Sequence, residues 1–319
     1  MTSVKAMDLT IFLRAFSIFS IVSGHLGFIG LAGGAFYLIF LSGFNFVKFN
    51  FPKVEKANDN SEEFNTSIFI SIYFGFLLKI IVPVLLYTLF IYVFLDRYYL
   101  GGILLISNFY GPNYADGLTF WFIEVLVQIY ILFGLLMLTN KYYYWIKKSP
   151  YISFLIGFAF FYAISILCKS TWDTSFYLDR FPHLMMYMFF AGALVAFSQT
   201  QQQKIMTSCA LAFVATDFIL FDFSSKTMFF IIGAIATLWI QKVSIPKLLH
   251  WPISIIAMSS LFIYLSHFQA KSLLDKLLPN SPAIVVVCFA LIVGIIMSEA
   301  WKKRKILYTK PFNLKGFFK

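Results

Sequence analysis

Arg14 and His25 interrupt the apolar run FLRAFSIFSIVSGHLGF, residues 12–28, eleven residues apart. An arginine at the centre of a bilayer helix costs about 2.5–3.5 kcal/mol, so an ionisable side chain there is a functional candidate. Eleven residues of α-helix make just over three turns, which puts both side chains on nearly one face, ~16 Å apart along the axis. A guanidinium suits phosphate oxygens, and a neutral imidazole suits proton abstraction from a hydroxyl. The competing readings are an arginine that snorkels to the interface and a histidine hydrogen-bonded within the packing.

Two further clusters carry similar chemistry. In TFWFIEVLVQIY, residues 119–130, Trp121, Glu124 and Gln128 share one helical face, with Tyr130 off it. A carboxyl group in such a run must find partners, so a structural link competes with a role beside a catalytic group. In SSLFIYLSHF, residues 259–268, Ser260, Tyr264 and His267 fall at i, i+4 and i+7, a single stripe. DRFPH, residues 179–183, adds Asp179, Arg180 and His183 at a helix mouth, where acceptor binding competes with an ordinary wet interface. The small residues of GGAFYLIFLSGF, residues 33–44, allow close helix approach, and Ser42 there is a cross-helix hydrogen-bond donor rather than a nucleophile. There is no GxSxG, HExxH, P-loop or GxGxxG pattern. Covalent serine chemistry, zinc hydrolysis and those modes of nucleotide binding lack support.

The elements that must position these residues follow from composition. The 319 residues are 60% hydrophobic and 12% charged, with mean hydropathy +0.82. That profile predicts an all-α, polytopic transmembrane helix bundle. About ten runs can span, near 9–31, 33–49, 68–95, 118–139, 150–168, 181–199, 203–221, 226–241, 252–273 and 282–301. Residues 1–301 form the membrane domain and 302–319 a basic tail. Arg14 breaks the apolar core that a cleaved signal peptide needs, so the first run is read as a retained helix. With both termini cytoplasmic, 17 of the 25 Lys and Arg face inward and six outward, which obeys the positive-inside rule. Counting the apolar segment 99–109 as a span would invert everything after it, so it is read as interfacial or re-entrant.

The net charge of +11 is explained by those short basic loops, and no soluble basic domain is present to hold nucleic acid. Cys168, Cys209 and Cys288 each stand alone in apolar surroundings and read as small buried hydrophobes, not as a disulfide framework or metal site. In this topology His25, Glu124 and His267 fall at similar depth in the outer half of the bundle, with Arg14 near the cytoplasmic mouth.

At these residues the chain resembles the acyltransferase 3 family of integral-membrane acyltransferases. Arg14 and His25, with ten residues between them, match its first-span pattern. Gly33, Gly34 and Ser42–Gly43–Phe44 resemble its Gly-rich second span. Trp121–Phe122, Glu124 and Tyr130 resemble a later motif, and Tyr264–Leu265–Ser266–His267 its late Tyr-Leu-x-His. RFPHLMMYMFFAGALVAF, residues 180–197, is similar to its Arg-start, Gly-Ala-Leu span. One departure stands in FGFLLKIIVP, where Phe76 and Lys79 occupy the places of two arginines before a proline. Phe76 supplies no cation, and Lys79 supplies a point charge rather than a bidentate fork.

The resemblance implies an O-acyltransferase, most simply an O-acetyltransferase, of the bacterial inner (plasma) membrane. Acetyl-CoA would be the cytoplasmic co-substrate, with no metal, and the acceptor a hydroxyl of a surface polysaccharide or lipid-linked sugar. Arg14, with Lys79, would hold the donor phosphates. His25 would be the general base, Glu124 would orient or charge-balance a histidine, and His267 with Tyr264 would support the acceptor or the oxyanion. Trp121, Ser42 and Arg180 are further acceptor or support candidates. A transporter or flippase for a lipid-linked sugar or small solute is the alternative, since a proton relay uses the same residue types. Paired broken helices in matching halves, the usual mark of such transporters, are not evident.

Overall fold

The computed structural model describes residues 4–30, 33–58, 65–111, 113–216 and 225–304. The basic tail from residue 305, the middle of the polar stretch at 51–67 and the end of the expected run 203–221 lie outside the described residues. Two compact units are present, Met1–Gly34 with Lys242–Lys319, and Ala35–Gln241.

The first unit opens on a strand, β1 (Val4–Asp8), which pairs antiparallel with β2 (Lys242–Pro246). Met7 and Ile245 are the buried members of this ribbon. Asp8 ends β1 and caps α1 (Leu9–His25), accepting from the Thr10 amide at 2.8 Å and the Thr10 hydroxyl at 2.6 Å. Satisfying an orphan donor in this way is worth about 1 kcal/mol. α1 packs through Ile18, Ile21 and Val22, interleaved with the fully buried Ser17, Ser20 and Ser23. Its neighbours are helices that we label α12 (Lys247–Met258), α13 (Ser260–Leu277) and α14 (Ala283–Arg304). α12 and α13 meet at 82° across Ser259. This ribbon and this bend are the departures from the expected simple spans.

In the second unit α2 (Gly34–Asn45) runs through a π-helical turn, Phe46–Asn50, into α3 (Phe51–Asn58). α4 (Thr66–Leu95) is the longest helix, with Pro83 inside it. The segment read as interfacial or re-entrant holds α5 (Leu100–Ile103) and a 3-10 turn, Ser107–Phe109. α6 (Trp121–Met137), α7 (Asn140–Lys148), α8 (Pro150–Thr171), α9 (Pro182–Phe197), α10 (Gln201–Phe213) and α11 (Ser225–Trp239) complete the unit.

α9 is its core. Leu184 to Val195 is buried without interruption, and the helix packs on α6, α8, α10 and α11. A helix apolar on every side belongs inside a bundle or a membrane. Gly43 of α2 lies against the Phe189 carbonyl of α9, and Gly192 of α9 lies against the Phe40 carbonyl. A Cβ at either site would collide with backbone, so the pair sets how closely these helices approach.

Among the described residues three helices are long and apolar enough to cross a membrane, Thr66–Leu95, Pro150–Thr171 and Ala283–Lys303. Counting the bent pairs α6–α7 and α12–α13 as one span each gives up to five. α1 and α9 are apolar but shorter; at 1.5 Å per residue, 17 residues rise ~25 Å, less than the ~30 Å hydrocarbon core. The all-α architecture agrees with the sequence. The figure of about ten spans counts apolar runs, several of which fold as short or bent helices.

Candidate active site

His25 is the last residue of α1, and Leu26 closes the helix through bonds to the Val22 and Gly24 carbonyls. Its exposed ring stands at the end of the helix, over α13. The Nδ1 of His25 lies 2.9 Å from the Nε2 of His267. His267 is 1% exposed, and its Nδ1 lies 2.6 Å from the Tyr264 carbonyl one turn back. Phe268 sits against both imidazoles, 5.2 Å and 15° from His25 and 4.1 Å from His267 between ring centres. Tyr264 flanks His267 at 5.7 Å. Three residues picked out in the sequence, His25, Tyr264 and His267, therefore form one cluster, and Phe268 joins them. The signal for Phe268 was its place next to His267 in a stripe that already held Tyr264. Arg14 is half-buried on α1, three turns from His25 on nearly the same face.

The second unit holds the other polar cluster. Glu124 is 1% exposed and surrounded by donors. The Ser107 hydroxyl lies 2.7 and 2.6 Å from its two oxygens, the Asn108 amide donates at 3.1 Å and the Phe120 amide at 3.4 Å. The last of these ties Glu124 back to the start of its own helix, where a carboxylate also meets the positive end of the dipole. Asn108 and Gln128 exchange amide hydrogen bonds, and Gln128 also donates to the Leu105 carbonyl at 2.7 Å. Leu105 is held at φ 57°, a left-handed conformation that costs a non-glycine residue about 1–2 kcal/mol.

Asn108 donates in turn to the Arg180 carbonyl at 2.8 Å, and the Arg180 guanidinium lies 4.7 Å from the centre of the Trp121 ring. Trp121, Glu124, Gln128 and Arg180 thus meet around the 105–109 segment. Ser107 and Asn108, which complete the cluster, carry no periodic signal and were missed. Asp179 accepts from the Thr174 hydroxyl at 2.5 Å, and His183 stacks on Phe181 at 5.5 Å. These contacts organise the turn before α9.

Two expected residues of the second unit do not join its Glu124 cluster. Ser42 donates to the Ile39 carbonyl of its own helix at 2.5 Å, and its backbone carbonyl accepts from the Tyr130 hydroxyl of another helix at 3.2 Å. Lys79 is exposed on α4, in the stripe that also carries Leu86 and Phe90. A groove of ≈ 620 Å³ between α8 and α10, lined by Phe158, Tyr162 and Phe213 among others, is almost wholly apolar and holds none of the candidate residues. Among the described residues no group of three or more His, Cys, Asp or Glu is placed to hold a metal ion.

A family model described as an acyltransferase domain matches residues 9–298, which takes in every one of these side chains. The chain belongs to the acyltransferase 3 family. It is an integral-membrane acyltransferase, and the apolar helices agree with that membership. No curated protein and no solved structure matches it. Acyl transfer to a hydroxyl needs a base beside the attacking oxygen, and the matched range includes both His25 and His267.

Proposed function

We propose that this family member is an O-acyltransferase that moves an acetyl group from cytoplasmic acetyl-CoA to a hydroxyl of a surface polysaccharide or lipid-linked sugar. The observation that carries the reading is the 2.9 Å contact between His25 and His267 at the end of α1. A histidine that is both exposed to a substrate and backed by a buried hydrogen-bond partner is equipped as a general base. The acceptor hydroxyl gives its proton to this centre as its oxygen attacks the thioester carbonyl. Collapse of the adduct expels the CoA thiolate, which takes the proton back.

Arg14, with Lys79, is assigned to the donor phosphates, and Trp121 with Arg180 to the acceptor side. Glu124 supports the acceptor side through Ser107 and Asn108. About ten spans with both termini cytoplasmic, in the inner membrane, complete the reading. The excess of Lys and Arg on the inner loops supports that orientation.

Membranes holding the full chain are incubated with labelled acetyl-CoA, and label is sought in the glycan and glycolipid fractions. His25→Ala is expected to abolish transfer while the protein still reaches the membrane. Undiminished transfer by that variant rejects the mechanism. Solute uptake into vesicles without acetyl transfer rejects the enzyme reading in favour of a transporter.

A further inference from the structure

We infer that His267 is a positioning residue that fixes the tautomer of His25 and leaves the lone pair of that ring on Nε2. The inference rests on the acyl-transfer reading above and divides the roles of its two histidines.

The proton inventory decides the assignment. A carbonyl oxygen only accepts, so the 2.6 Å contact with Tyr264 requires a proton on the His267 Nδ1. His267 is 1% exposed, and the groups it meets are the Tyr264 and Ile263 backbone carbonyls and the His25 ring, none of which carries a negative charge. A second proton on it would bury an uncompensated charge, at a cost of several kcal/mol. His267 is therefore neutral, and its Nε2 carries a lone pair. Across the 2.9 Å contact the donor must then be the Nδ1–H of His25. With Nδ1 protonated, the neutral His25 ring carries its lone pair on Nε2, the nitrogen turned away from His267.

Each proton stays accounted for during transfer. The acceptor hydroxyl loses its proton to the His25 Nε2, and its oxygen forms a bond to the thioester carbon. The resulting imidazolium keeps its Nδ1–H bond to His267. Two features favour that transient cation. The face of Phe268 lies 5.2 Å away and nearly parallel, and α1 presents the negative end of its dipole at its last residue. When the C–S bond breaks, the His25 Nε2–H protonates the departing thiolate and the ring returns to its starting tautomer. His267 stands where a carboxylate stands in a Ser-His-Asp triad, orienting the base without exchanging protons with the substrate.

The test uses the full chain in lipid nanodiscs with ¹⁵N-labelled histidine, the His25 resonances being assigned by their loss in His25→Gln. The expected spectrum has a protonated Nδ1 and a lone-pair Nε2 on His25. His267→Leu is expected to move His25 to the Nε2–H form that imidazole prefers in water. A wild-type ring protonated at Nε2, or a tautomer unchanged in His267→Leu, overturns the inference.

In the acetyl-transfer assay, with the cell's own glycan fraction as acceptor, His267→Leu should lower kcat about a hundred-fold or more. The KM for acetyl-CoA should not change. His267→Gln offers an amide oxygen to the Nδ1–H and should recover about tenfold of that loss. An active His25→Gln beside an inactive His267→Gln would reverse the roles and overturn the inference. Transfer unaffected by either histidine would instead refute the acyl-transfer mechanism, with the tautomer still read independently by NMR.

Discussion

Asn108 and Gln128 face each other as a reciprocal amide pair, with hydrogen bonds of 3.2 and 2.8 Å. The pair joins α6 to the 105–109 segment, and the remaining Asn108 bond carries the link to Arg180. Gln128→Ala removes its side of the pair and the bond to the Leu105 carbonyl, leaving a left-handed leucine without that restraint. Buried polar groups stripped of partners cost about 1–3 kcal/mol each. The variant should lose several degrees of thermal stability in detergent, and the KM for the acceptor should rise more than the KM for acetyl-CoA. Equal changes in both constants would mean that the segment does not serve the acceptor side.

Glu124→Gln keeps the size of the side chain but replaces one acceptor oxygen with a donor. It would then face the Ser107 hydroxyl and two backbone amides, all of them donors. Hydrogen bonds to a charged group contribute about 1.5–3 kcal/mol, so the expected loss is of that order. Thermal unfolding of the purified variant measures it. Wild-type stability together with lost activity would point to a direct chemical role for the carboxylate.

In the proposed mechanism Arg14 serves the donor and not proton transfer, because it sits three turns from His25 on the same helix. Arg14→Ala should raise the KM for acetyl-CoA about tenfold or more, the scale of one charge-assisted contact. kcat at saturating donor should change little. An unchanged donor requirement removes Arg14 from this role.

Gly192→Leu tests the close approach of α2 and α9. The added side chain would be driven into the Phe40 carbonyl, which belongs to a packed helix and cannot step aside. Overpacking of this kind costs about 1–3 kcal/mol or more. Reduced yield of folded protein is expected, whereas the exposed Ile232→Leu on α11 serves as a neutral control.

The candidate site was legible where the sequence broke its own pattern. His25 and His267 stood out because an ionisable group in an apolar run is costly without a purpose, and the structure brings the two rings together. The same logic found Glu124, Trp121 and Arg180. Ser107 and Asn108 escaped because short polar residues in a loop look like ordinary turn formers, and their value lies in contacts with residues 16 to 72 positions away. The β1–β2 ribbon escaped for a related reason. Five residues of strand carry little periodic signal, and the whole second unit separates Val4–Asp8 from its partner in the sequence. The 82° bend at Ser259 was hidden too, since an apolar run reads as continuous whether or not its helix breaks.

The β1–β2 ribbon also sets an order of events during synthesis. It fastens the segment ahead of α1 to the segment ahead of α12, so the unit that carries both histidines is assembled from the first and last parts of the chain. α1 leaves the ribosome early, yet His267, the ribbon partner and the helices that pack on α1 are made only after the whole of the second unit. Until then the newborn chain has His25 without the imidazole that it pairs with. A translation product that stops before β2 contains every residue of the second unit and still lacks the His25–His267 pair.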